Sequence, residues 1–158
     1  MSVEKKKGHR RLWIAVATGG YAGYFPVAPG TAGSVVGLGV VWLLQNWPVF
    51  FQIVAAAGLA ALGVYACTQA NSIFKKVDSP RIVIDEIVGM MISMIGIPVT
   101  GYWLVVGFIL FRIFDIVKPP PARYFDSRVK TGWGVMADDI AAGIYSNILL
   151  QLMLRATI

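Results

Sequence analysis

Reactive side chains are scarce in this chain. Its one histidine, His9, falls in a basic N-terminal run, so neither a phosphohistidine step nor a Ser-His-Asp triad has a usable base. Its one cysteine, Cys67, can form no intrachain disulfide and carries no mark of an oxidising compartment. The thiol lies in an apolar stretch with no basic cradle, which argues against a nucleophile and for a small buried hydrophobe. Charge is scarce as well: 14% of residues are charged, against about 25% in ordinary soluble chains. With 57% hydrophobic residues and a mean hydropathy of +0.68, the composition reads as one small all-α membrane domain over residues 1–158. The first apolar stretch lacks the short core and small-residue cleavage site of a signal peptide, so nothing is expected to be removed.

What charge there is has a pattern. The 14 Lys and Arg outweigh the 8 acids, giving a formal net charge of +6, and Lys5, Lys6, Lys7, Arg10 and Arg11 form a basic tail over residues 1–11. Beside an apolar span such a cluster contacts anionic headgroups and sets orientation; a nucleic-acid partner is not expected. Apolar spans are expected at about Gly33–Trp47, Phe50–Phe74, Ile82–Ile97, Tyr102–Val117 and from Asp138 or Asp139 to about Leu154. That makes a helical bundle of about five membrane-embedded segments, some shorter than the roughly 20 residues of a full crossing. Leu12–Gly33 is apolar but broken by Gly19, Gly20, Gly23, Pro26, Pro29 and Gly30, which predicts an irregular re-entrant or interfacial segment.

The turns at Gln45–Gln52 and Gly96–Gly101 carry no charge. The alternate loops carry Lys75, Lys76, Arg81, Lys118, Arg123, Arg128 and Lys130. All charged loops therefore share one side, which the positive-inside rule makes cytoplasmic.

The acids follow that side. Asp85, Glu86, Asp115, Asp126, Asp138 and Asp139 flank or interrupt the apolar runs, where a carboxylate costs roughly 2.5–3.5 kcal/mol at a helix centre. Their placement points to a metal or a proton. Hard cations such as Mg²⁺ take oxygen ligands, so one or two carboxylates from each of several helices suffice. Asp85, Glu86, Asp138 and Asp139 are the expected metal ligands, and Asp115 joins them as a catalytic candidate. Helix capping is the plainer alternative for Asp85 and Glu86, and for one of Asp138 and Asp139, but it serves poorly for both of that second pair. Asp126 reads as a solvated loop residue.

Phosphate-binding chemistry lies nearby. Ala28-Pro29-Gly30-Thr31-Ala32-Gly33-Ser34 opens onto the first long helix, and a helix N-terminus with two hydroxyls and permissive glycines can hold a phosphate. No lysine makes it a P-loop, and an N-cap by Thr31 remains the alternative. Arg112, Asp115 and Lys118 share a stripe, with Arg112 and Lys118 suited to phosphate oxygens and Arg123 following the prolines. An intrahelical Arg112–Asp115 pair is the simpler reading. With His and Cys set aside, metal-assisted phosphoryl chemistry by carboxylates is what remains.

The ordered set Pro26–Ser34, Ile84-Asp85-Glu86-Ile87-Val88-Gly89-Met90, Phe111-Arg112-Ile113-Phe114-Asp115, Lys118-Pro119-Pro120-Pro121 with Arg123, and Gly134–Gly143 resembles the phosphatidylglycerophosphatase A family, over about residues 12–155. The resemblance implies a Mg²⁺-dependent hydrolase of the bacterial cytoplasmic membrane that converts phosphatidylglycerophosphate to phosphatidylglycerol and phosphate at the cytoplasmic face. The segment Gly19–Phe25 is bulkier than the family pattern. A competing reading is a small ion- or proton-coupled transporter, but acids gathered on one face provide no relay to the other. A CDP-alcohol phosphotransferase would need an Asp-Gly-x-x-Ala-Arg run that Asp138–Gly143 does not supply. Metal number, nucleophile and oligomeric state stay open.

Overall fold

The computed structural model describes residues 3–157 except Pro121 and Lys130, with side chains from Gly8 onward, Asp126 excepted. Among the described residues there are helices and no strands: α1 (Val3–Ala17), α2 (Pro29–Leu44), α3 (Val49–Phe74), α4 (Ile84–Ser93), α5 (Gly101–Val117), α6 (Ala122–Arg128) and α7 (Gly132–Ala156), with a single 3-10 turn at Ala22–Tyr24. The expected basic tail is helical from Val3, and α1 packs on α3. The stretch between α1 and α2 is irregular, with Gly19, Gly20, Tyr21 and Ala28 at positive φ.

The shortest of the apolar helices is the centre of the molecule. Helix α4 packs against α2, α3, α5 and α7, and eight of its ten residues are buried. Its approach to α7 is closer than side chains permit. A Cβ on Gly143 would meet the Gly89 carbonyl oxygen at 2.5 Å, and one on Gly89 would meet the Asp139 carbonyl oxygen at 2.8 Å. Small residues thus let two backbones touch, as they do between membrane helices.

The run expected over Ile82–Ile97 is helical only from Ile84 to Ser93. Gly96 at φ 68° and Pro98 turn the chain there. The carbonyls left open at the end of α4 are taken up from neighbouring helices: Asn147 Nδ2 donates to the Ser93 and Ile95 oxygens at 3.0 and 2.9 Å, and Gln151 Nε2 to Ile95 at 3.2 Å. The Gly96 N–H in turn donates to Gln52 Oε1 at 3.2 Å. A helix can stop inside an apolar environment only where its end groups are satisfied in this way.

The outer faces are apolar. On α5, Tyr102, Val105, Ile109, Ile113 and Ile116 form an exposed stripe at helical spacing, as do Ile144, Ile148 and Leu152 on α7. Helix α3, 26 residues with a mean hydropathy of 2.0 in its most apolar window, is the described helix long and apolar enough to cross a membrane by length and composition. Acids are placed in reverse: Asp85, Asp138 and Asp139 are buried.

Candidate active site

The starts of α2 and α4, the end of α5 and the second turn of α7 meet at one end of the bundle. Asp85 and Glu86 occupy the first turn of α4, where the positive end of the helix dipole favours carboxylates. Asp85 Oδ1 accepts the Glu86 N–H at 3.1 Å, but the N-cap position is Val83 with no side-chain cap, so this one bond is all that the capping reading explains. Carboxylate oxygens of Asp85, Glu86 and Asp139 all lie within 4.8 Å of one another, and Glu86 Oε2 is buried with no hydrogen-bond partner among the described residues. Three carboxylates this close repel unless a cation or protons stand between them.

Asp138 and Asp139 are not at a helix start. Helix α7 begins at Gly132, because Gly134 packs against the Val129 carbonyl and lets the chain enter the helix early. Both acids therefore sit about two turns in, which removes the N-cap alternative. At adjacent positions they point apart: Asp139 faces Asp85 and Glu86, while Asp138 pairs with Lys118 at 2.5 Å. The expected four-acid ligand set thus comes together as three, with Asp138 engaged across to the end of α5.

Asp115 and Arg112 form the intrahelical pair expected from their spacing, at 2.6 Å. The pair is not isolated. Arg112 Nη1 reaches Ser34 Oγ at 3.5 Å, Ser34 Oγ donates to the Gly30 carbonyl at 2.9 Å, and Asp115 lies within hydrogen-bonding reach of Asp139. Gly30 closes the ring of contacts. A Cβ there would collide with Glu86 Oε1 and come within 3.3 Å of Arg112 Nη1. Bare backbone at the start of α2 is therefore set against both an acid and a guanidinium. In that turn Pro29 has no N–H, and the N–H groups of Thr31 and Ala32 go to the Ala28 carbonyl. The Gly30 N–H is the one the helix geometry leaves open.

Other expected residues lie further out. Thr31, on the same turn as Gly30, is half-buried and lines an outer cavity with Tyr21, Tyr24 and Phe25. Arg123 is exposed on α6, and the side chain of Asp126 falls outside the described residues. The supporting amides Asn147, Gln151 and Gln52 were not singled out from sequence. Their signal was available, since each is a hydrogen-bonding side chain in an otherwise apolar run.

Comparison with known proteins shows which family the chain resembles. Phosphatidylglycerophosphatase A of Escherichia coli is 38% identical over 143 residues, covering 89% of this chain and 83% of its own length. The protein of the same name from Haemophilus influenzae is 40% identical over 138 residues, covering 85% and 84%. A relative from Bacteroides thetaiotaomicron, provisionally named a phosphatidylinositol-3-phosphatase, is 38% identical over 150 residues, covering 89% and 92%. No solved structure matches the chain. The profile of the family described as Phosphatidylglycerophosphatase A spans residues 15–154, nearly the whole bundle with every helix that builds the carboxylate site, and the chain belongs to that family.

Proposed function

We propose that the protein is a membrane lipid phosphatase that hydrolyses phosphatidylglycerophosphate to phosphatidylglycerol and phosphate, with its site at the cytoplasmic face of a bacterial inner membrane. The observation that carries the reading is the meeting of Asp85, Glu86 and Asp139 beside Gly30 and the Arg112–Asp115 pair. Acid and base sit together there, in the balance a phosphate monoester requires. The apolar stripes on α5 and α7 support embedding of several helices besides α3. The site lies at the end of the bundle from which the charged loops emerge.

The donor set fits a hard divalent cation: three carboxylates on two helices, one with a buried oxygen that has no partner. Asp85, Glu86 and Asp139 would hold Mg²⁺, which when bound supplies the charge that polarises a phosphoryl group and activates water. The remaining work falls to the chain. Arg112 presents a planar pair of donors to phosphate oxygens, and Asp115 fixes its plane. The Gly30 N–H adds a backbone donor at the positive end of α2. Asp138 holds the Lys118 ammonium at the mouth of the site, where it can meet the lipid's second phosphate.

The test is phosphate release by the purified protein in detergent from phosphatidylglycerophosphate and, in parallel, phosphatidylinositol 3-phosphate. The reading predicts turnover of the first at least tenfold faster than of the second. Preference for the inositol lipid would move the assignment to the other named relative's substrate, and no release from either would overturn it.

A further inference from the structure

A phosphatase acting on a lipid must place the acyl chains as well as the headgroup, and the stripe that carries Arg112 continues past it. On α5, Leu104 and Phe108 precede Arg112 at i−8 and i−4, and on α2, Leu38 follows Ser34 at i+4, so all share the faces that meet at the Arg112–Ser34 contact. Helices α2 and α5 both pack on α4 and touch one another only lightly. Between them runs a cleft of about 210 Å³, lined by Val35, Leu38, Leu104, Val105 and Phe108. Every lining residue is apolar. Polar and apolar parts are thus arranged in series: acids, guanidinium and glycine N–H at the end of the bundle, then, one turn deeper, a hydrocarbon slot.

We infer that this α2–α5 cleft holds the first part of one acyl chain of the lipid substrate, while the headgroup phosphate lies against Arg112 and Gly30. The inference rests on the lipid-phosphatase reading and adds where the chain goes. Its lining spans one turn of each helix, Val35 to Leu38 on α2 and Leu104 to Phe108 on α5, about 6 Å along the axis at 1.5 Å per residue. That is enough to fix the glycerol end of a chain and too little to enclose all of it. The remainder leaves between the exposed side chains of Val35 and Val105 into the surrounding lipid. The larger cavity between α3 and α7, with Ala57, Ala61 and Trp133 on its wall, is flanked by neither Arg112 nor Gly30.

The experiment uses phosphatidylglycerophosphate bearing a diazirine near the carboxyl end of one acyl chain, photolysed with the full-length protein in detergent. Label is expected on peptides spanning 35–38 and 104–108, and excess unlabelled phosphatidylglycerophosphate, but not phosphatidylcholine, should remove it. Label concentrated on α3 and α7, or label that phosphatidylcholine removes equally well, overturns the inference. This readout does not depend on turnover, so it stands apart from the activity assay. A second measurement compares the dipalmitoyl lipid with the chain-free headgroup analogue. In Val105→Trp, which fills the cleft from an exposed position, the ratio of kcat/KM for the two should fall about tenfold through KM. In Ile148→Trp, on the lipid-facing side of α7, it should hold. An unchanged ratio in folded Val105→Trp counts against the cleft.

Discussion

In the proposed reading, Gly30 and Arg112 are what turn a cation site into a phosphatase site. Because the nearest atom to a Cβ at residue 30 is the end of the Glu86 side chain, Gly30→Ala can be accommodated by moving that carboxylate, and the fold should survive. The expected outcome is normal helix content by circular dichroism with phosphate release cut at least tenfold. Arg112→Lys keeps the charge but loses the planar fork and the geometry that Asp115 imposes. A fall of about tenfold in kcat/KM, about 1.4 kcal/mol of transition-state stabilisation, should follow, and wild-type kinetics would show that only charge matters there. At this scale the sequence was informative about membership and silent about orientation. Adjacent acids stand about 100° apart on a helix; Asp85 and Glu86 still converge, whereas Asp138 and Asp139 diverge, Asp139 to the Asp85–Glu86 cluster and Asp138 to Lys118. Which of them faced Glu86 depended on how α7 is rotated against α4.

The elements explain why the sequence showed where helices are more readily than where they stop. Spans expected at Phe50–Phe74 and Tyr102–Val117 match α3 and α5 to within a residue at each end, because aromatic turns, prolines and charged loops bound them. Helix α4 departs from its expected length because its end is set by tertiary partners, which no local pattern records. Those partners make a prediction at the same scale. Asn147→Leu removes two hydrogen bonds, leaving the Ser93 carbonyl open in an apolar setting and the Ile95 carbonyl with Gln151 alone. The thermal unfolding midpoint in detergent should drop by an amount corresponding to about 1–3 kcal/mol, while an unchanged midpoint would mean that water already reaches that end of α4. Gly143→Ala should act through the same contact by a different route. Its methyl group would press on the Gly89 carbonyl, costing about 1–3 kcal/mol and lowering activity by shifting Asp139 although every acid remains.

For the molecule as a whole, Asp85, Asp138 and Asp139 lie inside beside an apolar core, and much of the outer surface is hydrocarbon as well. This follows if most of the surface meets lipid, and the sidedness can be checked because Cys67 is buried and free. In spheroplasts, a membrane-impermeant maleimide should label Gln45→Cys and leave Lys76→Cys unlabelled until the membrane is opened, since the charged loops are assigned to the cytoplasm. The reverse pattern would place the site on the outer face. The central claim is that Asp85, Glu86 and Asp139 hold a divalent cation that phosphate ester hydrolysis requires. Phosphate release from phosphatidylglycerophosphate across a Mg²⁺ titration, for wild type and Asp85→Asn at matched folding, tests it most directly. The account predicts saturable Mg²⁺ dependence in the wild type, abolished by excess chelator, and a loss of at least a hundredfold in the variant; full turnover in chelator, or in Asp85→Asn, would contradict it.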